Sequence, residues 1–172
     1  VESLADVFSL LLSGLTGYMP EIDRLAEANA SFLSYPSTGM ETAPATYSIM
    51  TGKLLFSEID RKTRDLRFEY GEALPNVMKA AGYATAAIYS SEDFGGRVAI
   101  YRNSGFEHLY DSHDPAYDGE KRYVFNSVPD KVLLGHASDL IREFDRAGKP
   151  HLTFILTTST HVPYLNPETG RR

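Results

Sequence analysis

The 172-residue chain has no cysteine, which excludes disulfides and thiolate metal sites and leaves the redox compartment open. Basic residues are in deficit. Seventeen Lys and Arg stand against 23 Asp and Glu, a net charge of −6, so no positive field gathers nucleic acid and none is expected as a partner. The one basic run, RKTRDLR at Arg61–Arg67, has aspartates in and beside it. It reads as a solvated turn, the alternative being contact with an anionic substrate. Long apolar runs are missing as well: none reaches the roughly 18 residues needed to cross a bilayer. The N-terminus lacks a basic region followed by an apolar core and a cleavage site, so no secretory leader is read there and the segment as given is expected to be soluble.

What remains is a chain with 42% hydrophobic residues, enough for one core burying about 68–70% of the unfolded surface. One domain, residues 1–172, is expected. VESL opens without a methionine or a polar lead-in, and HVPYLNPETGRR runs from a strand-like segment into a loop. Both ends therefore read as cuts in a longer protein.

Strand-like runs are ASFLSY (Ala30–Tyr35), YATAAIYS (Tyr83–Ser90), HLYD (His108–Asp111) and HLTFILTT (His151–Thr158). ATAAIY and LTFILTT are nearly continuous apolar or β-branched runs, as in parallel strands covered on both faces. Helical patterns precede or separate them: LADVFSLLLSGL and PEIDRLAEANA come before the first run, EALPNVMKAAGY before the second and PDKVLLGHASDLIREFDRAGK before the fourth. In the last, Val132, Leu133, Ala137, Leu140, Ile141 and Phe144 keep a helical period, with Pro129 and Asp130 as the start and Gly148 as the stop. Alternation of this kind predicts an α/β layered domain with a mostly parallel sheet. Sites in such sheets lie at the carboxyl ends of the strands. Asp111–Asp130 is irregular and reads as an exposed excursion, with the SHD of Ser112–Asp114 as loop.

Three loops fall where a site is expected, and they supply Glu2 in VESL, Thr42 in STGMETAPAT and His161 in TSTHVPY. A threonine hydroxyl is a weak nucleophile that needs a metal or a base beside it. A divalent cation held by Glu2 would favour its alkoxide and offset phosphate charge. A helix beginning at Thr42 or Ala43 would aim N–H groups at the anion, and Pro44 suits the first turn. The plainer readings stay open: Thr42 as a helix cap, Thr38 as the cap with Glu41 completing a capping box, Glu2 as a surface carboxylate and His161 as a structural imidazole.

The stretch TAPATYSIMTG (Thr42–Gly52) resembles the active-site segment of the sulfatase and alkaline phosphatase superfamily: a nucleophile, any residue, then Pro, leading into a helix that closes in Leu/Met-Thr-Gly. PEIDRLAEANASF is similar to that superfamily's approach to the nucleophile, and NSVPDKVLLGHA to its later G-V-x-D helix start. The resemblance implies an alkaline-phosphatase-like three-layer sandwich, incomplete at its C-terminus, this chain being the N-terminal part of the catalytic domain. Within the superfamily the likeness is greatest to lipoteichoic acid synthases and related phosphoglycerol or phosphoethanolamine transferases. By that likeness Glu2 and Thr42 bind the metal, Thr42 is the nucleophile, Arg97 in SSEDFGGR contacts the headgroup, and His161 in HVPY contacts the substrate.

Two departures leave the headgroup open: Gly95 stands where that subfamily often has tryptophan, and Ile88 or Tyr89 where a histidine is expected. The family's Asp-His metal pair and a further histidine lie downstream of this chain, so its metal site, for Mn or Zn with Mg or Ca also admitted, is expected to be incomplete and the segment inactive alone. For the full protein the resemblance implies membrane helices upstream, an extracytoplasmic catalytic domain, and transfer of a phospho-alcohol headgroup from a phospholipid through a phosphothreonine at Thr42. A sulfatase, a phosphodiesterase acting on sulfate or phosphate esters, and a non-catalytic binding domain are the alternatives. A cut sheet would also expose an apolar edge and favour self-association.

Overall fold

The computed structural model describes residues 8–14, 17–32, 37–38, 41–54, 72–93, 97–166 and 169. They fall into two compact units, one reaching to Ser37 and a larger one from Thr38 onward. The first holds α1 (Leu10–Ser13) and α2 (Pro20–Ala28). Pro20 and the acidic Glu21 and Asp23 occupy the first turn of α2, where a missing N–H and negative charge both suit the helix start. Asp23 also ties α2 to α1, accepting from Ser9 Oγ and from the backbone N–H groups of Leu10 (3.3 Å) and Leu11 (3.2 Å). The Ser9 hydrogen bond is the main cause holding its carboxyl below the usual range.

The strand expected over Ala30–Tyr35 is not found at its start: Ala30, Ser31 and Phe32 are not in a strand, and residues 33–35 lie outside those described. The reason is local. Asn29 Nδ2 donates to Leu25 O (2.9 Å) and Ser31 Oγ to Ala26 O (3.2 Å), so this segment satisfies the open carbonyls at the end of α2.

Among the described residues the larger unit is built on three parallel strands, β1 (Ala84–Tyr89), β2 (His108–Tyr110) and β3 (His151–Leu156), in the order β2-β1-β3. Ala86 pairs with His108, and Ala84 with His151. All six β1 residues are buried, which is why ATAAIY shows no polar alternation. On one face Ala87, Tyr89 and Leu156 pack with Met50 of α3 (Thr42–Thr51), Tyr101 of α5 (Arg97–Asn103) and Phe106. A fourth helix, α4 (Leu74–Ala80), packs against β1 and α3. On the other face Ile88 meets Leu133, Ala137 and Leu140 of α6 (Asp130–Arg146), together with Tyr117 and Val128. These are the three layers of the α/β sandwich. α6 keeps its expected bounds, with Pro129 at the N-cap and Gly148 at φ +63° just beyond its end.

A further expectation is corrected. Residues 111–130 are not simply an exposed excursion, because Tyr117 and Val128 are fully buried on the α6 face of the sheet. The sequence shows no helical pattern over α5. It holds only seven residues, too few for a periodic signal, yet it buries Arg97, Ile100 and Tyr101.

Burial pushes the Tyr89 hydroxyl from its ordinary 10.0 up to about 12, and burial likewise raises Tyr101 and Tyr117. Below pH 10 these groups are neutral in both the folded and unfolded chain and stability does not depend on them. As pH rises from the ordinary value of 10.0 toward about 12, the unfolded tyrosines ionise while the folded ones do not, so stability falls. Urea midpoints are expected to drop steeply in that window, with the phenolate absorbance of these tyrosines appearing only as circular dichroism is lost. Their titration in a fully folded chain would contradict this burial.

Candidate active site

The helix that carries Thr42 is α3. Its N-cap is Glu41, extended at φ −129°, ψ 159° and making no side-chain cap bond, and Ala45 N donates to Glu41 O at 3.2 Å. Thr42 is thus the first helical residue rather than the cap, and the alternative cap at Thr38 does not hold either. Pro44 sits third, where the helix has no use for an N–H. The far end explains the Met-Thr-Gly closure. Met50 is buried in the core; Thr51 Oγ1 donates to Tyr47 O (2.8 Å) and accepts from Lys53 N (3.2 Å). Gly52, at φ +68°, sends its N–H to Ser48 O (2.8 Å), a left-handed turn that glycine takes without steric cost.

Thr42 is half-buried at the positive end of the helix. α3 packs against α5, and the first residue of α5 is Arg97. Arg97 is buried, and its Nη2 donates to Ser91 Oγ (3.0 Å) and Glu92 O (2.6 Å). Both acceptors lie in the loop leaving the carboxyl end of β1, so the guanidinium is pinned to that rim of the sheet.

His161 lies beyond the carboxyl end of β3, half-buried. Its Nδ1 is 2.7 Å from Val162 O. A carbonyl only accepts, so Nδ1 carries the proton, and the neutral ring keeps its lone pair on Nε2. The imidazole meets the Phe125 ring edge to face at 4.6 Å and 79°. Phe125 in turn ties back to the Arg97 loop: Glu92 N donates to Phe125 O (3.1 Å), and Asn126 Nδ2 to Glu92 Oε1 (2.8 Å). The structure therefore joins Arg97 and His161 through Glu92 and Phe125.

The His161 loop is fastened from a second side. Asp130, the first residue of α6, accepts from Thr158 N (2.7 Å) and Ser159 N (3.0 Å), while Ser159 Oγ accepts from Asp130 N (3.0 Å) and pairs with Tyr123 OH (2.6 Å). Sequence reasoning missed Asp130, Phe125 and Glu92 as contributors. Asp130 was legible only as a helix start, and nothing in the spacing of Glu92 and Phe125 links them.

Glu2 lies outside the described residues. Among those described, no group of three or more His, Asp or Glu is placed to hold a metal ion, so they do not form a metal site by themselves. Nor is any helix among them long and apolar enough to cross a membrane.

The sulfatase family model matches residues 1–170. Phosphoglycerol transferase I from Xanthomonas euvesicatoria pv. vesicatoria is 26% identical over 156 residues, covering 86% of this chain and 22% of the relative. The Escherichia coli protein of the same name is 28% identical over 104 residues, 56% of this chain and 13% of the relative. The chain thus spans about a fifth or less of these relatives. Among solved structures, an alkaline phosphatase superfamily protein from Vibrio parahaemolyticus superposes with a TM-score of 0.80 at 23% identity, over 96% of this chain and 40% of that one. The lipoteichoic acid synthase LtaP from Listeria monocytogenes gives 0.61 at 21% identity, over 76% of this chain and 31% of that one. At these identities the structural likeness is one of fold.

Proposed function

The chain belongs to the sulfatase family, and on that premise we propose that it is the nucleophile-bearing part of an enzyme that transfers a phosphoglycerol headgroup from a phospholipid through Thr42. The observation that carries this reading is the placement of Thr42 on the first turn of a ten-residue helix packed against the helix that begins with Arg97. The family's phosphoglycerol transferase I relatives point to the same headgroup.

In the proposed step the Thr42 hydroxyl gives up its proton to solvent water, and Oγ1 attacks the phosphorus. The Thr42 Oγ1–P bond forms as the P–O bond to diacylglycerol breaks. His161, its Nε2 lone pair having first taken up a proton from solvent, delivers that proton to the leaving oxygen; Arg97 steadies the phosphoryl oxygens with charge-assisted hydrogen bonds. A second alcohol then displaces Thr42 from phosphorus and regenerates the hydroxyl. Water in its place would make the enzyme a phosphodiesterase. A formylglycine sulfatase needs cysteine or serine at the nucleophile position, and residue 42 is threonine.

A divalent cation, held by Thr42 and Glu2 with ligands from outside this chain, would offset the charge on the phosphoryl oxygens and favour the alkoxide. Incubation of the full-length protein with a chelator is expected to abolish transfer, and Mn or Zn to restore it. Undiminished turnover after exhaustive chelation would remove the metal from the proposal. The 172-residue segment alone is expected to show no turnover, and its upstream helices to anchor the enzyme in the membrane with this domain outside the cytoplasm. β3, hydrogen-bonded to β1 and half-exposed along five of its six residues, would let the isolated segment self-associate.

The direct test is covalent trapping. Full-length protein exposed to phosphatidylglycerol and quenched in acid should yield a Thr42–Thr51 peptide heavier by one phosphoglycerol unit. Finding the adduct on another residue, or on none during active turnover, would overturn the assignment.

A further inference from the structure

Phe125 lies in the left-handed region at φ 52°, ψ 33°, and Asn126 follows at φ 54°. Consecutive non-glycine residues rarely hold this conformation, which persists where surrounding contacts over-determine it. Here they do. Glu92 N donates to Phe125 O, Asn126 Nδ2 to Glu92 Oε1, Arg122 Nη1 to Asn126 O (3.2 Å), Tyr123 N to Ser127 O (3.0 Å) and Ser127 Oγ to Val124 O (2.7 Å). The product of this pinned bend is one aromatic ring set edge to face on the His161 imidazole at 4.6 Å.

We infer that Phe125 is a positioning residue for His161: its ring and the Val162 carbonyl between them fix the imidazole in the form that keeps Nε2 as the working nitrogen. The function of this arrangement rests on the role proposed above for His161, but the geometric claim does not. Phe125 acts on substrate only through the imidazole, so its loss should disturb the tautomer and the chemical step more than binding.

The experiment uses full-length protein with isotope-labelled histidine, the His161 signals being identified by their loss in His161→Gln. The unmodified protein should show His161 protonated on Nδ1 at high pH. Phe125→Leu should give a mixture of tautomers and a kcat for phosphatidylglycerol turnover lower by about ten- to a hundredfold, with KM within about twofold. Phe125→Tyr, which keeps the ring, should restore both. Glu92→Ala loosens the bend without removing the ring and should shift the tautomer in the same direction, which keeps the comparison open if Phe125→Leu does not fold. An unchanged His161 tautomer in the folded Phe125→Leu and Glu92→Ala proteins would overturn the inference. Unimpaired turnover by His161→Gln would instead overturn the proposed role of His161, leaving the tautomer result to decide on Phe125.

Discussion

Thr42→Ala in the full-length protein is expected to lower phosphoglycerol transfer by about three orders of magnitude or more, the scale seen when a covalent nucleophile is removed. Thr42 is the first helical residue, and the α3 side chains buried on the core side are those of Ala43, Thr46, Ser48 and Met50. Alanine at the first position keeps helix propensity high, so the fold and the KM for phosphatidylglycerol should change little. Thr42→Ser supplies the control: it restores an oxygen at nearly the same place, and turnover within about tenfold of the natural protein would assign the effect to the hydroxyl rather than to packing. Steady-state rates with phosphatidylglycerol, alongside circular dichroism of both variants, decide the matter. Activity of Thr42→Ala near that of the natural protein would take Thr42 out of the mechanism.

Those parts of this molecule that depend on short-range pattern were readable from the residues. β1 announced itself as a continuous apolar run because it is covered on both faces. α6 showed its period, its proline start and its glycine stop because seventeen residues give a periodic signal room to emerge. The start of α3 at Thr42 followed from Pro44, which is tolerated only in a first turn. What stayed hidden depends on contacts distant in sequence. α5 is too short for periodicity; its helical state goes with the burial of Arg97, Ile100 and Tyr101, the last packed with Ala87 and Tyr89 of the sheet. ASFLSY looked like a strand because Phe32 and Leu33 are apolar, but Ser31 is engaged by the end of α2. The linkage between Arg97 and His161 runs through Glu92 and Phe125, 33 residues apart in the sequence, and no local spacing encodes it. Candidate residue types were therefore visible, while the groups that hold them were not.

Asp130 is where that hidden layer should have its largest effect. Asp130→Ala is expected to destabilise the folded protein by about 3 kcal/mol, since hydrogen bonds to a charged group are worth roughly 1.5–3 kcal/mol each. Two such bonds are lost, to Thr158 N and Ser159 N, and Thr158 is 3% exposed, so water has little access to replace the acceptor. The position also opens α6, where negative charge is favoured by the helix dipole. Asp130→Asn keeps one acceptor oxygen and should lose about half as much. Urea denaturation of the three proteins gives the ranking directly, and an alanine variant within about 0.5 kcal/mol of the parent would show that the clamp bears no strain. The functional consequence is separable. His161 N donates to Thr158 O at 2.9 Å, so the turn bearing the imidazole grows out of the backbone that Asp130 holds. Measured where every variant is still folded, turnover should fall in the same order as stability, alanine below asparagine below the natural residue. Stability loss with undiminished turnover would mean that the His161 turn is held by Phe125 and its own backbone, and that Asp130 serves only the junction of α6 with β3.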